Sequence, residues 1–264
     1  DNAIYRFSVT TSEIYEVPPD GFTQRDIFPW HYNRRISYIA RPLIIGPEPI
    51  DNPLIFWGPR HVNEALRILT RSVYSGRYRV DEKTAPEMVA FISRIQNEFA
   101  KDYEREVSNW IKQNTPWIVY TGELIAQDEK LKSDKNLGDI DVLAIDISDK
   151  KIYSIECKMI NFGRNPREVL TEIQKFLGDT ENDNKSMGKH LKRDAWLKSH
   201  VDIIRSAYGL PPGDYSVISS FVTSEELIIG YIRETPLPII AFSRLKREGP
   251  GTIAAFNRDS ASSL

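Results

Sequence analysis

The stretch GDIDVLAIDISDKKIYSIECK, residues 138–158, places charged side chains inside two short apolar runs. Asp141 interrupts the first run, and Glu156 and Lys158 interrupt the second. Burying a charge without a partner costs several kcal/mol or more, so a chain seldom does it repeatedly within one short segment. We therefore predict that these residues assemble a functional site.

The same stretch has the pattern of a β-hairpin. Residues 140–147 form the first predicted strand, 148–150 the turn and 151–160 the second strand. Neighbouring strands lie about 5 Å apart, so a tight hairpin brings Asp141 close to Glu156. Two carboxylates at that separation repel each other unless a cation lies between them. Carboxylates around an open position suit Mg²⁺ or Mn²⁺ with retained waters.

The alternation of side chains along the second strand separates a polar face from an apolar face. Ser154, Glu156 and Lys158 share one face, whereas Cys157 faces the predicted core. Lys158 therefore points into the space beside the carboxylates, where it can orient or deprotonate a water or neutralise a phosphate. Two roles stay open: Ser154 is either packing or polar support, and Asp139 either supports a metal or simply begins the first strand.

These residues carry a resemblance to a known group of enzymes. Asp141, followed after about fifteen residues by ECK at 156–158, resembles the signature of the PD-(D/E)XK phosphodiesterase superfamily, the restriction-endonuclease-like nucleases. The strand at 138–146 is similar to the Gly-acid-X-Asp strand of its Holliday-junction-resolvase-like and type IV restriction branches. The resemblance covers roughly residues 90–225. The nominal proline of the motif is absent, because Ile140 precedes the aspartate, and this departure is common in the superfamily.

The resemblance implies a chemistry and a set of site residues. It implies divalent-metal hydrolysis of a nucleic-acid phosphodiester, with Mg²⁺ or Mn²⁺ held by Asp141 and Glu156 and with Lys158 as the catalytic lysine. Many members carry a further acid on the preceding helix, and Glu104 is our candidate for this catalytic and metal-binding position. Some branches carry a glutamine on the following helix, and Gln174 is the candidate there. DNA is the expected substrate rather than RNA, and a role in genome defence or repair follows by analogy.

The predicted elements define the fold class and the domains. We expect an α/β protein with a restriction-endonuclease-like core, in which a central mixed sheet is flanked by helices. Residues 1–83 are predicted to be a small α+β accessory region of unknown role, 84–248 the PD-(D/E)XK-like nuclease domain, and 249–264 a flexible tail. A helical pattern from 84 to 111, long enough for two helices with a break, precedes the hairpin, and a helix from 187 to 208 follows it.

Basic residues beyond the hairpin are candidates for contact with a phosphate backbone. The loop NFGRNPRE leaves the predicted sheet just after Lys158. The predicted helix at 187–208 is locally basic, although acidic residues offset part of its charge. A run of charges on a helix is more often a solvated face, so both interpretations stay open. The candidates are Arg164, Asn165 and Arg167 in the loop, and Lys189, Lys192 and Arg193 on the helix.

Composition excludes several other classes of protein. Cys157 is the single cysteine, so neither an internal disulfide nor a cysteine zinc site is expected. The four histidines show no metal-ligand spacing, and the sequence contains neither a Gly-rich phosphate loop nor a nucleophile elbow. ATP hydrolysis is therefore not expected. The net charge is −2 for 264 residues, so a nucleic-acid surface must arise from local clustering of basic side chains.

The sequence also leads to expectations about the cellular location of the protein and about its relation to a longer chain. No apolar run approaches the roughly 18 residues of a membrane span, and we predict a cytoplasmic protein that does not enter the membrane. The chain begins at Asp1 rather than Met, which indicates a fragment or a processed product. We expect the C-terminal effector part of a larger protein, or a chain that works with a partner subunit.

Three interpretations compete with a nuclease. The hairpin could lie on the surface with an ordinary ion pair, but strands carrying Val142, Ile145 and Ile155 are too apolar for that. The domain could be catalytically silent and serve as a nucleic-acid-binding or scaffold module, although the intact acidic and basic set argues against lost activity. It could also be a regulatory module, active only when a partner engages residues 1–80.

Overall fold

The structure is a computed structural model, and it describes residues 8–10, 18, 23–28, 40–46, 54–75, 78, 85–160, 169–170, 173–174, 176, 186–232 and 234–253. These residues divide into two compact units, and the division falls between Glu98 and Phe99. We predicted a boundary earlier in the chain, between residues 83 and 84. The residues on both sides of the observed division belong to one continuous helix.

The first unit combines a small sheet with a helix, in keeping with the predicted α+β region. Strands β1 (Ser8–Thr10), β2 (Leu43–Ile45) and β3 (Ile55–Phe56) form a sheet in that order. β1 runs parallel to β2, and β3 runs antiparallel to it. A 3₁₀ helix covers Gln24–Ile27. Helix α1 (Pro59–Tyr74) begins with a proline at a position where a missing backbone N–H costs no hydrogen bond.

The second unit is built on a six-stranded mixed sheet. The strands lie in the order β5-β4-β6-β7-β8-β9. β6 runs antiparallel to both β4 and β7, whereas β8 runs parallel to β7 and to β9. The strands are β4 (Ile118–Ala126), β5 (Leu131–Lys132), β6 (Gly138–Asp146), β7 (Lys151–Lys158), β8 (Ser216–Thr223) and β9 (Ile239–Ala241). The predicted fold class, a central mixed sheet flanked by helices, is confirmed.

Helix α2 (Pro86–Asn114) precedes the sheet, and it is a single helix without the break that we allowed for. The predicted helix from 187 to 208 is instead two helices, because His200 adopts a non-helical backbone conformation with φ −127° and ψ 34°. Gly209 ends the second of them with a positive φ of 61°, as glycine often does. The helices after the hairpin are α3 (Ser186–Ser199), α4 (Val201–Tyr208), α5 (Ile229–Ile232) and α6 (Phe242–Glu248).

Strands β6 and β7 lie at the centre of the sheet and separate two apolar cores. The first core contains Val107 and Ile111 of α2 together with Ile155 of β7. The second contains Leu197 of α3 and Ile204 of α4. Because both faces of the central strands are covered, the hairpin is buried, which contradicts the surface-hairpin interpretation.

The C-terminal part of the second unit differs from our expectation. We predicted a flexible tail from residue 249 onward, but Ile253 is fully buried in the first core. Residues 251–253 form a helical turn, in which Thr252 donates a hydrogen bond to the Gly249 carbonyl at 2.8 Å. The rest of the predicted tail, 254–264, lies outside the described residues. Across the ranges given above, no helix is long and apolar enough to cross a membrane.

Candidate active site

Asp141 lies where the two strands of the hairpin part. Backbone pairing between β6 and β7 runs from Asp146↔Lys151 to Val142↔Ile155 and stops there. At the next position, the Cys157 backbone N–H donates to the Asp141 Oδ2 atom at 2.7 Å. The side chain of Asp141 thus takes the place of a backbone acceptor and is only 7% exposed.

Glu156 and Lys158 extend from the neighbouring strand β7. The Lys158 Nζ atom lies 2.6 Å from the Glu156 Oε1 atom, so the two side chains form an ion pair. The guanidinium of Arg193, on α3, donates to the other carboxylate oxygen of Glu156 and also to the Asp139 carbonyl. Both oxygens of Glu156 are therefore bound by cationic side chains.

The charges at this site act on one another. Burial and, after it, the nearby carboxylate of Glu156 raise the pKa of Asp141 to about 7, although Lys158 and the Cys157 amide act to lower it. Burial would lower the pKa of Lys158, but its ion pair with Glu156 outweighs this and raises it. Lys158 is therefore an ammonium at neutral pH, which favours orienting water or neutralising phosphate over removing a proton.

Glu104 is the acidic residue of helix α2 whose charge interacts with the charged side chains of this site. It is half-buried, and its pKa is raised by burial first and then by the carboxylates of Asp139 and Glu156. Glu106, two residues later, is exposed and forms an ion pair with Lys246 at 2.9 Å. The structure thus separates the two helix acids, and the metal-binding role of Glu104 stays a prediction.

The donor set is compatible with a divalent cation. Asp141, Glu156 and Glu104 supply carboxylate oxygens, which are the ligands that Mg²⁺ and Mn²⁺ prefer. Burial and the neighbouring Glu156 raise the pKa of Asp141, and a cation bound beside it would favour its charged form. Within the described part of the chain, no three side chains of His, Cys, Asp or Glu stand close enough together to form a metal cluster.

Cys157 is not part of this chemistry. Its side chain lies in the first core, as predicted. Burial, followed by the nearby carboxylate of Asp141, raises the pKa of the thiol well above its usual range, so little thiolate exists at neutral pH. Ser154, on the opposite face of β7, is completely buried, and its hydroxyl has no hydrogen-bond partner among the described residues.

The predicted nucleic-acid-binding residues fall into different places. Gln174 is helical and exposed, and Lys189 and Lys192 are exposed on α3. These positions are compatible with contact to a phosphate backbone, which stays a prediction. The loop candidates lie outside the described residues: Arg164, Asn165 and Arg167.

Arg193 lies elsewhere than we predicted. We expected it on the basic surface of its helix, but it is 5% exposed and paired with Glu156. The reason is its place on the buried stripe of α3, four residues before Leu197 and three after His190. Counting back by one helical turn from the apolar Leu197 would have found it. Sequence reasoning therefore missed Arg193 as a partner of the predicted metal ligand.

Comparison with known proteins identifies the family to which this chain belongs. A family model for anti-phage proteins, described as "Anti-phage protein Upx-like", matches residues 2–237. Because the match covers most of the chain, the protein belongs to the Upx-like anti-phage family. This membership is compatible with the predicted role in defence. Searches of curated proteins and of solved structures found no match.

Proposed function

We propose that this protein is a divalent-metal-dependent nuclease of the PD-(D/E)XK type that cleaves DNA during anti-phage defence. The observation that carries the proposal is the buried Asp141, turned toward a β7 strand that presents Glu156 and Lys158. An ion pair that only stabilises the fold needs two charges. This site adds to the pair of Glu156 and Lys158 a second buried carboxylate, Asp141, whose pKa is raised.

Each residue has a role in this proposal. Asp141 and Glu156 would hold Mg²⁺ or Mn²⁺, with Glu104 as a further ligand or as support for one. The bound cation supplies Lewis-acid stabilisation of the charge on the phosphate. Lys158 donates from its ammonium to the attacking water or to a phosphate oxygen, which fixes the geometry of attack. In the hydrolysis, the water oxygen bonds to phosphorus and releases a proton to solvent, while one P–O ester bond breaks and the leaving oxygen takes up a proton.

The fold supports the same assignment. The resemblance implies a helix before a central mixed sheet and further helices after it. Helix α2, strands β6 and β7, and helices α3 and α4 occur in this order along the chain, and β6 and β7 are central in the sheet. Membership of an anti-phage family supports a nucleic acid as the target, because cleavage of invading DNA is one direct means of defence.

The test is cleavage of supercoiled plasmid and of single-stranded DNA with Mg²⁺ or Mn²⁺. Native protein should cut, whereas the Asp141→Ala and Lys158→Ala variants should not. Lys151→Ala is a matched control, because Lys151 belongs to the same strand but pairs with Asp149 at the turn, 3.0 Å away. Cleavage that is equal in native protein and in both site variants would overturn the proposal.

One observation favours a second candidate, a catalytically silent domain that binds nucleic acid or acts as a scaffold. Both oxygens of Glu156 are already bound by Lys158 and Arg193, so the site is partly neutralised by its own side chains. In that case neither native protein nor Asp141→Ala would cleave DNA, and both would bind it equally. A gel-shift titration of these two proteins beside the cleavage assay separates the candidates.

A further inference from the structure

Arg193 is a buried cation next to the proposed metal ligands. Its side chain extends from α3 onto the central sheet, where it reaches Glu156 on β7 and the Asp139 carbonyl on β6. Helix α3 is not simply apolar on this side, because His190 and Asp194 are also buried there. The neighbouring Asp194 pairs with Lys198 at 2.8 Å. In the described part of the chain, Glu156 is therefore the carboxylate with which Arg193 pairs.

The environment of Arg193 leaves its guanidinium incompletely bound. Its Nε atom is buried without a hydrogen-bond partner among the described residues. The nearby His190 donates from Nε2 to the Ser220 carbonyl at 3.1 Å and offers Arg193 no charge, because burial lowers the pKa of its imidazole to about 4. A buried guanidinium with one unpartnered nitrogen and one carboxylate partner is unusual for a purely structural group.

Two kinds of cation therefore compete for Glu156: the neighbouring basic side chains and the proposed metal ion. A divalent cation at the proposed site requires a Glu156 oxygen, and Lys158 and Arg193 already bind both. A carboxylate has spare lone pairs, so the conflict is electrostatic rather than a lack of acceptors. A guanidinium held on the same carboxylate repels an incoming divalent cation at short range.

We propose that Arg193 is an internal counter-ion, which occupies Glu156 in the metal-free protein and lowers the affinity of the site for a divalent cation. This inference rests on the proposed function, because it concerns the same metal site. It predicts that the protein folds stably without metal and that loading requires Arg193 to withdraw from Glu156. Arg193 is then a residue that sets metal affinity, not one that contacts the substrate.

The experiment is a calorimetric titration of the whole chain with Mn²⁺ alone. Arg193→Gln removes the charge and should lower the Kd for Mn²⁺ by about tenfold. Lys198→Gln is the matched control, because it removes one positive charge from the same helix at an exposed position, and its Kd should stay within about twofold of native. Weaker binding by Arg193→Gln than by native protein would overturn the inference and make Arg193 a positioning residue for Glu156. If neither native protein nor Arg193→Gln binds Mn²⁺, the proposed function fails instead.

A second measurement covers the case in which Arg193→Gln does not fold. Side-chain N–H signals of ¹⁵N-arginine in native protein report the contact directly, and Arg193 is assigned by the signal that Arg193→Lys lacks. With EDTA these protons should exchange slowly, and saturating Mg²⁺ should shift them and speed their exchange. An unchanged Arg193 signal, while backbone signals of Asp141 and Glu156 shift, would refute the inference. Shifts at neither place would refute the metal site itself.

Discussion

Two buried aspartates on strand β6 have opposite environments. Asp141 and Asp146 are five residues apart, and each is 7% exposed. Asp146 accepts hydrogen bonds from Trp117 Nε1 at 2.9 Å, from the Ser148 hydroxyl at 2.6 Å and from the backbone N–H groups of Ser148 and Asp149. Asp141 accepts one hydrogen bond, from the Cys157 amide, and faces another carboxylate.

The titration of the two carboxyls follows from these partners. Burial acts to raise the pKa of Asp146, but hydrogen bonds from Ser148, the Asp149 amide and Trp117 outweigh it and hold the pKa below its usual value. For Asp141, burial and Glu156 dominate, and the pKa rises to about 7. Equal exposure thus hides a difference in environment: Asp146 is hydrogen-bonded within the turn, whereas Asp141 lies near a second carboxylate, whose charge a cation would balance under the proposed function.

The largest expected effect separates the two aspartates by activity. Asp141→Asn should lower metal-dependent DNA cleavage by about a hundredfold to a thousandfold, because one carboxylate ligand is lost. Asp146→Asn should leave cleavage within about threefold of native below its melting temperature, because Asp146 contacts only the turn and Trp117. Initial rates on plasmid DNA measure both. Equal loss of activity in the two variants would mean that Asp141 has no role in cleavage that Asp146 lacks.

The next expected effect is on the free energy of unfolding, to which Asp146 should contribute more than Asp141. Asp146→Asn should lower the free energy of unfolding by about 2 kcal/mol, because the amide cannot accept all of the hydrogen bonds made by the charged carboxylate. Asp141→Asn should lose less than this or gain stability in EDTA, because it removes repulsion from Glu156. Urea denaturation at pH 7 gives both values. A larger loss for Asp141→Asn would mean that Asp141 is the structural residue.

The pH dependence of stability also distinguishes Asp141 from Asp146. The folded-state pKa of Asp141 is raised from 3.8 to about 7, so its contribution is fully present below about pH 4 and is lost as the pH rises through about 7. Asp146 has the opposite sign: its contribution is present above about pH 4 and is lost at lower pH. In EDTA, Asp141→Asn should therefore gain stability relative to native protein as the pH rises from about 4 to about 7. A difference that does not change with pH would contradict the raised pKa.

The smallest effects concern the two acids of helix α2. Glu104→Gln should lower cleavage by roughly tenfold, because its charge acts on the site but its side chain is only half-buried. Glu106→Gln removes an exposed ion pair with Lys246, so it should cost less than about 1 kcal/mol and leave cleavage unchanged. Parallel rate and urea measurements test this pair. Equal rates for the two variants would remove Glu104 from the site.

Several features were predictable because they depend on local pattern. The apolar runs on either side of residues 148–150 predicted the hairpin, and strict alternation predicted that Cys157 faces the core and Glu156 the other side. The long helix was also predictable, although the break in the helix after the hairpin was not. That break depends on His200, whose ring bonds back to the Trp196 carbonyl at 2.9 Å, a contact that no periodicity encodes.

The mixed α/β fold class, the central hairpin and the approach of Asp141 to Glu156 follow from local sequence pattern, because strand pairing depends on alternation and short turns. The pairing of charges across the sheet depends instead on tertiary packing. Arg193 is 37 residues from Glu156 along the chain, and its contact depends on how α3 packs against β7. The burial of Ile253 likewise depends on a core formed by distant elements. Contacts of this kind are set by packing geometry, which a local pattern does not contain.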